Sequence, residues 1–154
     1  MSEKAPYRFR THIGVRWSDC DAFGHVNNAV YLTYLEQARF AYWNEVLRDV
    51  PFPGMVLARV EIDYRAQAFP HEQLEVAAGV VRMGTTSFTV GYEVRKADGT
   101  EVARALSVQV FFDYASGRPV PVDPVFRERV VAYEGSRLTA APGTARTPPP
   151  PDRG

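Results

Sequence analysis

Twelve residues near the N-terminus concentrate the reactive polar groups of this chain. The stretch Trp17–Asn28 reads WSDCDAFGHVNN and holds two carboxylates, a thiol, an imidazole and two carboxamides. Asp, Gly and Asn are depleted in β-strands, so this composition indicates a loop. Asn27 or Asn28 can cap a following helix, while other N–H groups of the first turn stay free and carry partial positive charge. A carboxylate beside such a helix start suits chemistry at a polarised carbonyl group.

The same side chains also have ordinary structural roles. Asp19 and Asp21 can bond to backbone N–H groups two positions along the chain, as loop aspartates often do, and spacing alone favours that interpretation. His25 stands alone, and it can be an interior or capping histidine or can position Asp21 or a water. Cys20 has no second histidine nearby to activate it, so it fits a small buried hydrophobic residue.

A metal site is not supported by these spacings. Asp19-x-Asp21-x-x-Gly24 begins like a calcium loop, but Phe23 and Val30 occupy the fifth and twelfth positions, where oxygen ligands are required. One cysteine and three scattered histidines give no zinc-binding pattern. The sequence therefore predicts no metal site.

A long amphipathic helix is predicted directly after the loop, from Ala29 to Val50. Its apolar residues recur at steps of three and four, and Pro51 and Pro53 end the pattern. The apolar stripe is wide and aromatic, so we expect this helix to be substantially buried. Its members are Tyr31, Tyr34, Leu35, Ala38, Tyr42, Trp43 and Val46.

The segments on both sides of this helix alternate between apolar and polar residues, which is typical of half-buried antiparallel strands. Asp98-Gly99 is a hairpin signal between the last two strands. One buried helix before a run of such strands indicates the α+β class, with the helix on one face of the sheet. We expect strands at 7–17, 56–66, 74–81, 88–94 and 102–112, and a short helix at 126–133.

Composition limits the class of protein. The 154 residues suit one domain, and equal numbers of acidic and basic residues give no global field for nucleic acid or an anionic membrane. A single cysteine suits a reducing compartment. No secretory signal and no stretch of about 18 apolar residues is visible, so a cytoplasmic location is predicted.

The C-terminal segment differs from the rest. Five of the residues 136–154 are prolines, four of them consecutive, and Leu138 is the one large aliphatic residue there. Such a segment cannot bury enough surface to offset its ordering entropy. We predict a domain at 7–135 and a disordered, partly polyproline-II tail at 136–154. A solvated tail is favoured over one that binds a proline-recognising partner.

The order of these elements resembles a known family. A strand, an Asp-rich loop, a GHVNN-type helix start, the run Tyr31-Leu32-x-Tyr34-Leu35-Glu36-x-Ala38-Arg39 and four further strands resemble the hotdog-fold acyl-CoA thioesterases of the 4-hydroxybenzoyl-CoA thioesterase family. The resemblance covers about residues 7–133. It implies a long central helix packed against a curved antiparallel sheet. It also implies hydrolysis of an acyl-CoA thioester to a carboxylic acid and CoA, with no cofactor because CoA is part of the substrate.

Site roles follow from the resemblance, residue by residue. Asp21 matches the catalytic carboxylate of the family, which acts as general base or nucleophile. For Asp21 only, the resemblance therefore favours a catalytic role over the structural one. The backbone N–H of Asn28 matches the group that polarises the carbonyl; losing one such donor typically costs about 2.7–4 kcal/mol of barrier. His25 is a further catalytic candidate. A substrate rich in phosphate also needs donors and cations. The substrate-binding candidates are Gly24, Asn27, Tyr31, Arg59, Arg65, Thr86 and Ser87.

The family also implies self-association as a homodimer or homotetramer, with active sites between subunits; no nucleic-acid or membrane partner is expected. Within the helix, Glu36 and Arg39 are spaced for an intrahelical ion pair. Two other functions remain open. A hotdog module can bind an acyl thioester or scaffold an oligomer without catalysis, since fold does not fix function. A hydratase or dehydratase on the same fold would pair Asp21 with His25.

Overall fold

An antiparallel sheet with one 18-residue helix against it forms the framework of the chain. The computed structural model describes residues 7–51 and 54–138. No helix within those ranges is long and apolar enough to cross a membrane. The strands are β1 (Phe9–Gly14), β2 (Met55–Tyr64), β3 (Gln73–Met83), β4 (Ser87–Lys96), β5 (Glu101–Asp113) and β6 (Arg118–Pro119), and the helices are α1 (Val30–Leu47) and α2 (Pro124–Glu134).

The strands lie in the order β1-β3-β4-β5-β2, and the short β6 pairs with β5. All pairs are antiparallel. β3, β4 and β5 follow one another through short turns, as the alternating patterns predicted. β2 follows α1 in the chain but pairs with β5 at the far edge, so its outer side has no partner strand among the described residues.

The core lies between α1 and the sheet. All seven residues of the predicted apolar stripe are buried, which confirms the predicted face of the helix. The helix ends at Leu47, three residues before the predicted end, because Arg48 adopts a positive φ of 52°. The residues that anchor this core by size include Trp43, Tyr34, Tyr42, Tyr92, Phe88 and Phe126.

Both faces of β5 carry apolar residues, so hydrophobicity alone does not predict which face turns inward. The inner row is buried and mixes small and large side chains: Ala103, Ala105, Ser107, Gln109 and Phe111. The aromatic side chains of α1 fill the interior, so the three small residues fit there. The outer row includes Leu106, which is 43% exposed, and also Val108, Val110 and Phe112.

The helix α2 begins two residues earlier than predicted because Asp123 caps it. The Asp123 Oδ1 accepts hydrogen bonds from the backbone N–H groups of Val125 at 2.9 Å and Phe126 at 3.1 Å, and Pro124 takes the first helical position. A 3₁₀ turn at Gly135–Arg137 follows, and the partly buried Leu138 packs against the core. The predicted domain end at 135 stays a prediction. The remainder of the predicted tail, 139–154, lies outside the described residues.

Candidate functional site

Asp19 fixes the polar loop to the helix. It is 2% exposed and accepts hydrogen bonds from the Arg16 backbone N–H at 2.9 Å and from the Tyr34 hydroxyl at 2.7 Å. The Arg16 guanidinium completes an ion pair at 2.9 Å. Burial acts to raise the pKa of Asp19, but the bonds from Tyr34 and Arg16 outweigh it and hold that pKa below its ordinary value. These contacts support the structural interpretation of Asp19.

Asp21 sits in a tight turn, and its carboxylate has two donors. Oδ1 accepts from the Phe23 N–H at 2.9 Å, and Oδ2 accepts from Asn27 Nδ2 at 3.2 Å. The turn closes through backbone bonds from Asp21 N to His25 O and from Gly24 N to Asp21 O, at 3.3 and 3.0 Å. Gly24 has φ of 81°, a conformation that side chains disfavour. Asp21 therefore bonds the backbone N–H two residues along the chain, as expected for a loop aspartate. The residue is only half-buried.

The backbone N–H groups at the start of α1 differ in whether they have an acceptor. Asn27 Oδ1 accepts from the Ala29 N–H at 2.9 Å in a local turn, but Ala29 is the N-cap residue and no side-chain cap bond forms, so neither Asn27 nor Asn28 is the predicted cap. The Asn28 carbonyl accepts from the Tyr64 hydroxyl at 2.8 Å. The Asn28 N–H donates to no acceptor in the described part of the chain. A partial positive charge thus lies at the helix start with no internal partner.

These groups line one cleft of about 320 Å³ between the loop, the start of α1 and the end of β2. The His25 ring is stacked against the Phe23 ring with 6.4 Å between their centroids, and its Nδ1 is 3.2 Å from the Val26 carbonyl oxygen. Tyr31 meets Tyr64 edge to face at 5.3 Å. The lining residues are Asp21, Phe23, His25, Val26, Asn28, Tyr31, Tyr64, Ala66 and Gln67. Phe23 and Tyr64 are additions to the predicted site.

Three of the predicted substrate-binding residues, Arg59, Thr86 and Ser87, lie away from this cleft within the protomer, whereas Arg65 stands between the lining residues Tyr64 and Ala66. Arg59 pairs in register with Val108, which places it on the sheet face opposite α1, where it contacts Glu61. Arg65 forms an ion pair with Glu101 at 3.6 Å. Thr86 and Ser87 stand at the start of β4. Ser87 pairs with Val110, seven residues along β5 from the partner of Tyr64, which is a separation of about 23 Å at 3.3 Å per residue.

The predicted ion pair between Glu36 and Arg39 does not form. Arg39 turns inward instead, and its Nη1 donates to the Tyr92 hydroxyl at 3.1 Å. Helical spacing brings the two side chains to one side of α1, but the buried Tyr92 hydroxyl competes for the Arg39 guanidinium.

No group of three His, Cys, Asp or Glu side chains within 7–51 and 54–138 is arranged to hold a metal ion.

A family model described as the thioesterase-like superfamily matches residues 15–130. The chain belongs to this superfamily. A thioesterase from Thermus thermophilus, solved in complex with coenzyme A and Zn, is 34% identical, covers 86% of this chain and 98% of its own, and superposes with a TM-score of 0.77. A predicted thioesterase from Bacillus stearothermophilus is 29% identical over 87% of this chain and 98% of its own, with a TM-score of 0.74. The long-chain acyl-CoA thioesterase FadM of Escherichia coli is 27% identical over 79% of this chain and 96% of its own.

Membership in the thioesterase-like superfamily supports thioester hydrolase activity and the hotdog fold. The six-stranded antiparallel sheet with its packed helix agrees with that fold, so the predicted α+β class is confirmed at this level. The narrower assignment to the 4-hydroxybenzoyl-CoA thioesterase family stays a prediction, as do the catalytic roles of individual residues.

Proposed function

We propose that this protein is an acyl-CoA thioesterase, which hydrolyses an acyl-CoA thioester to a carboxylic acid and CoA. The observation that carries the proposal is that Asp21 and Asn28 line one cleft, and that the Asn28 N–H has no acceptor in the described part of the chain. The similarity to FadM and to a thioesterase that binds coenzyme A supports acyl-CoA as the substrate. The motif at the helix start favours the 4-hydroxybenzoyl-CoA thioesterase branch of the superfamily.

In the proposed mechanism, the Asn28 N–H donates to the thioester oxygen and stabilises the oxyanion that forms. Asp21 then acts in one of two ways. As general base it takes a proton from water, whose oxygen attacks the carbonyl carbon, and the CoA thiolate leaves and is protonated. As nucleophile its carboxylate attacks the carbon directly, expels the thiolate and forms a mixed anhydride that water cleaves. His25 lines the same cleft and is proposed to orient the water.

The remaining candidates divide by position. Gly24 and Tyr31 are next to the cleft, so they are proposed to contact the acyl-thioester portion. Arg59, Thr86 and Ser87 are proposed to contact CoA from a second subunit, since they lie away from the cleft of their own chain. The unpaired outer edge of β2 favours such a homodimer, because open edges tend to be paired or covered. A homotetramer would add a second interface.

Incubation with a panel of acyl-CoAs and a thiol-reactive dye tests the proposal. We expect stoichiometric release of thiol and of the free acid from at least one saturated or aromatic acyl-CoA. Including an enoyl-CoA in the panel separates hydrolysis from hydration, because hydration removes the double bond without releasing thiol. Hydration without thiol release, or binding without either reaction, would contradict the proposed function.

A further inference from the structure

A second cleft adjoins the one that contains Asp21. It has a volume of about 140 Å³ and lies between the next turns of α1 and the preceding part of β2. Leu32 follows Tyr31 directly on α1, and Val60 precedes Tyr64 by four residues on β2. The second cleft is lined by Leu32, Thr33, Leu35, Glu36, Arg39, Leu57 and Val60.

The two clefts share no lining residue, but both are bounded by α1 and β2. From Tyr31 to Arg39 the helix rises about 12 Å, at 1.5 Å per residue. From Tyr64 back to Val60 the strand runs about 13 Å, at 3.3 Å per residue. An extended ligand held at Asp21 that followed α1 from the first cleft to the second would pass apolar side chains and reach Glu36 and Arg39.

Arg39 has unused hydrogen-bonding capacity in the second cleft. It is partly buried, and its Nη1 donates to the Tyr92 hydroxyl at 3.1 Å. It makes no ion pair with a carboxylate in the described part of the chain, although a guanidinium carries five N–H donors. A partly buried cation gains from an acceptor that meets its remaining donors.

A buried polar chain holds the guanidinium in place. The Tyr92 hydroxyl is 2.8 Å from Ser107 Oγ, and Gln109 Nε2 donates to the same Oγ at 2.9 Å. Gln109 Oε1 is buried and has no hydrogen-bond partner among the described residues, which is uncommon for a buried polar atom. Gln109 pairs in register with Leu57, a residue that lines the second cleft. The polar groups beneath this cleft are thus ordered but not fully satisfied.

We infer that Arg39 is a specificity-determining residue that binds an oxygen at the distal end of the acyl group. This inference rests on the proposed function. Glu36 lines the same cleft, and its negative charge favours a neutral hydroxyl over a carboxylate. Side chains on a helix are directed toward its N-terminus, so the Arg39 guanidinium is closer to the Asp21 cleft than the helix rise of about 12 Å between Tyr31 and Arg39. An extended acyl chain of about eight carbons, with bonds of about 1.5 Å, suits that shorter distance. The substrate class is an acyl thioester with a terminal hydroxyl group.

The test compares kcat/KM for octanoyl-CoA, ω-hydroxyoctanoyl-CoA and the mono-CoA thioester of octanedioic acid. We expect wild-type protein to prefer the hydroxylated substrate over octanoyl-CoA by about ten- to a hundredfold, as for a hydrogen bond to a charged group. Arg39→Met keeps the aliphatic stem and should remove this preference without lowering the octanoyl-CoA rate. Arg118→Met, which removes an exposed cation on β6, is the matched control and should retain the preference.

Equal kcat/KM for octanoyl-CoA and its hydroxylated analogue would overturn the inference, as would an equal loss with all three substrates in Arg39→Met. A preference for the octanedioic thioester would overturn the choice of hydroxyl over carboxylate.

If none of the three substrates releases thiol, the hydrolysis proposal fails separately. In that case, titration calorimetry with the Asp21→Asn protein still tests Arg39. Hydroxyl-dependent binding that Arg39→Met abolishes supports the inference, and binding that ignores the hydroxyl contradicts it.

Discussion

The side-chain amide of Asn27 joins Asp21 to the first turn of α1. Its Nδ2 donates to Asp21 Oδ2 at 3.2 Å, while its Oδ1 accepts from the Ala29 N–H at 2.9 Å. Both ends of the amide are therefore occupied inside the protein. The position of the carboxylate is coupled to the helix start, where Asn28 lines the same cleft as Asp21. This favours a positioning role for Asn27 over the predicted substrate contact.

The first prediction concerns Asp21. Asp21→Ala should lower kcat by about two to four powers of ten, the usual contribution of a positioned acid–base group. Asp21→Asn should be nearly as damaging, because an amide keeps the shape of the side chain but is not basic. Both are measured as thiol release under saturating acyl-CoA. Near-normal turnover in Asp21→Asn would remove Asp21 from the mechanism.

Asp19→Asn is the matched control for this prediction. Asp19 is buried against Arg16 and Tyr34 and lies outside the Asp21 cleft, so its substitution should lower Tm more than it lowers kcat. Turnover should stay far above that of Asp21→Asn at a temperature where both proteins are folded. Equal losses of kcat in the two variants would contradict the division of roles between the two aspartates.

The second prediction concerns Asn27 itself. Asn27→Ala removes the donor to Asp21 and the acceptor for Ala29 together. We expect kcat to fall by about ten- to a hundredfold with little change in KM, since a misplaced catalytic group costs that order of rate. Asn44→Ala, at an exposed position near the other end of α1, serves as the control and should change neither kcat nor KM. A rise in KM with unchanged kcat would instead assign Asn27 to substrate binding.

The third prediction concerns pH and Glu134. This carboxylate is buried and accepts from the Tyr42 hydroxyl at 2.7 Å; burial raises its pKa, and the hydrogen bond only partly offsets that. The folded state then holds the proton more tightly than the unfolded state, whose ordinary pKa is about 4.3. The stabilising contribution is therefore complete below that pH and is lost as pH rises through the higher folded value.

Glu134→Gln keeps an acceptor for Tyr42 but cannot ionise. The unfolding free energy of the wild type should decline relative to this variant as pH rises from about 4 toward neutrality, measured by urea denaturation at each pH. Glu128→Gln, at an exposed position of α2, should follow the wild type. A constant difference between wild type and Glu134→Gln at all pH values would show that Glu134 does not titrate in this range.

The sequence predicts the helix and most strands of this fold because periodicity reports directly on burial. The α1 stripe illustrates this, since one face of a helix can be counted from residue spacing alone. Which face of β5 turns inward is different. Alternation separates two rows that both contain apolar residues, and the buried row mixes Ala103 and Ala105 with Gln109 and Phe111. Which row turns inward depends on the packing of the strand against the rest of the fold, a tertiary property that no local pattern contains.

The candidate site divides in the same way. Asp21, Asn27 and Asn28 are close in sequence, and the direct bond from Asn27 to Asp21 is local, so this part of the site can be predicted from the sequence. Arg59 depends on the register of β2 beside a bulge, and that register sets it on the outer face. Arg39 depends on Tyr92, which is distant in sequence, and this contact replaces the helical ion pair. Long-range pairing therefore decides what local spacing leaves open.

The fourth prediction concerns the C-terminal segment. Removing 139–154 should leave Tm and kcat unchanged, because its composition favours few contacts with the domain. Removing 136–154 also deletes Leu138, which packs against the core. That truncation should lower the free energy of unfolding by about 1 kcal/mol, because a half-buried leucine is lost. The change would appear as a fall in Tm of about 2–4 °C. A large loss from the shorter deletion would show that the segment docks on the domain.

The fifth prediction concerns sharing of the site between subunits. The unpaired edge of β2 is ten residues long, and a symmetric dimer would pair two such edges. Arg59 and Thr86 lie away from the cleft of their own chain, so a shared site would bring them to the Asp21 of the other. Mixing Asp21→Asn subunits with Arg59→Ala/Thr86→Ala subunits should then restore activity. Half of the dimers would be mixed with one intact site each, giving about a quarter of wild-type sites for a twofold assembly.

Two controls make this test decisive. Each variant alone should be weakly active, and the mixture should exceed the average of its parents only after subunits exchange, at a rate that follows dimer dissociation. Mixing Asp21→Asn with Arg39→Met subunits, assayed on the hydroxylated substrate, is the matched comparison. If one acyl chain contacts Asp21 and Arg39 of the same subunit, as inferred above, these mixed dimers contain no subunit with both residues intact, and the mixture should stay at the average of its parents. An active monomer in light scattering at micromolar concentration would contradict both the dimer and the shared site.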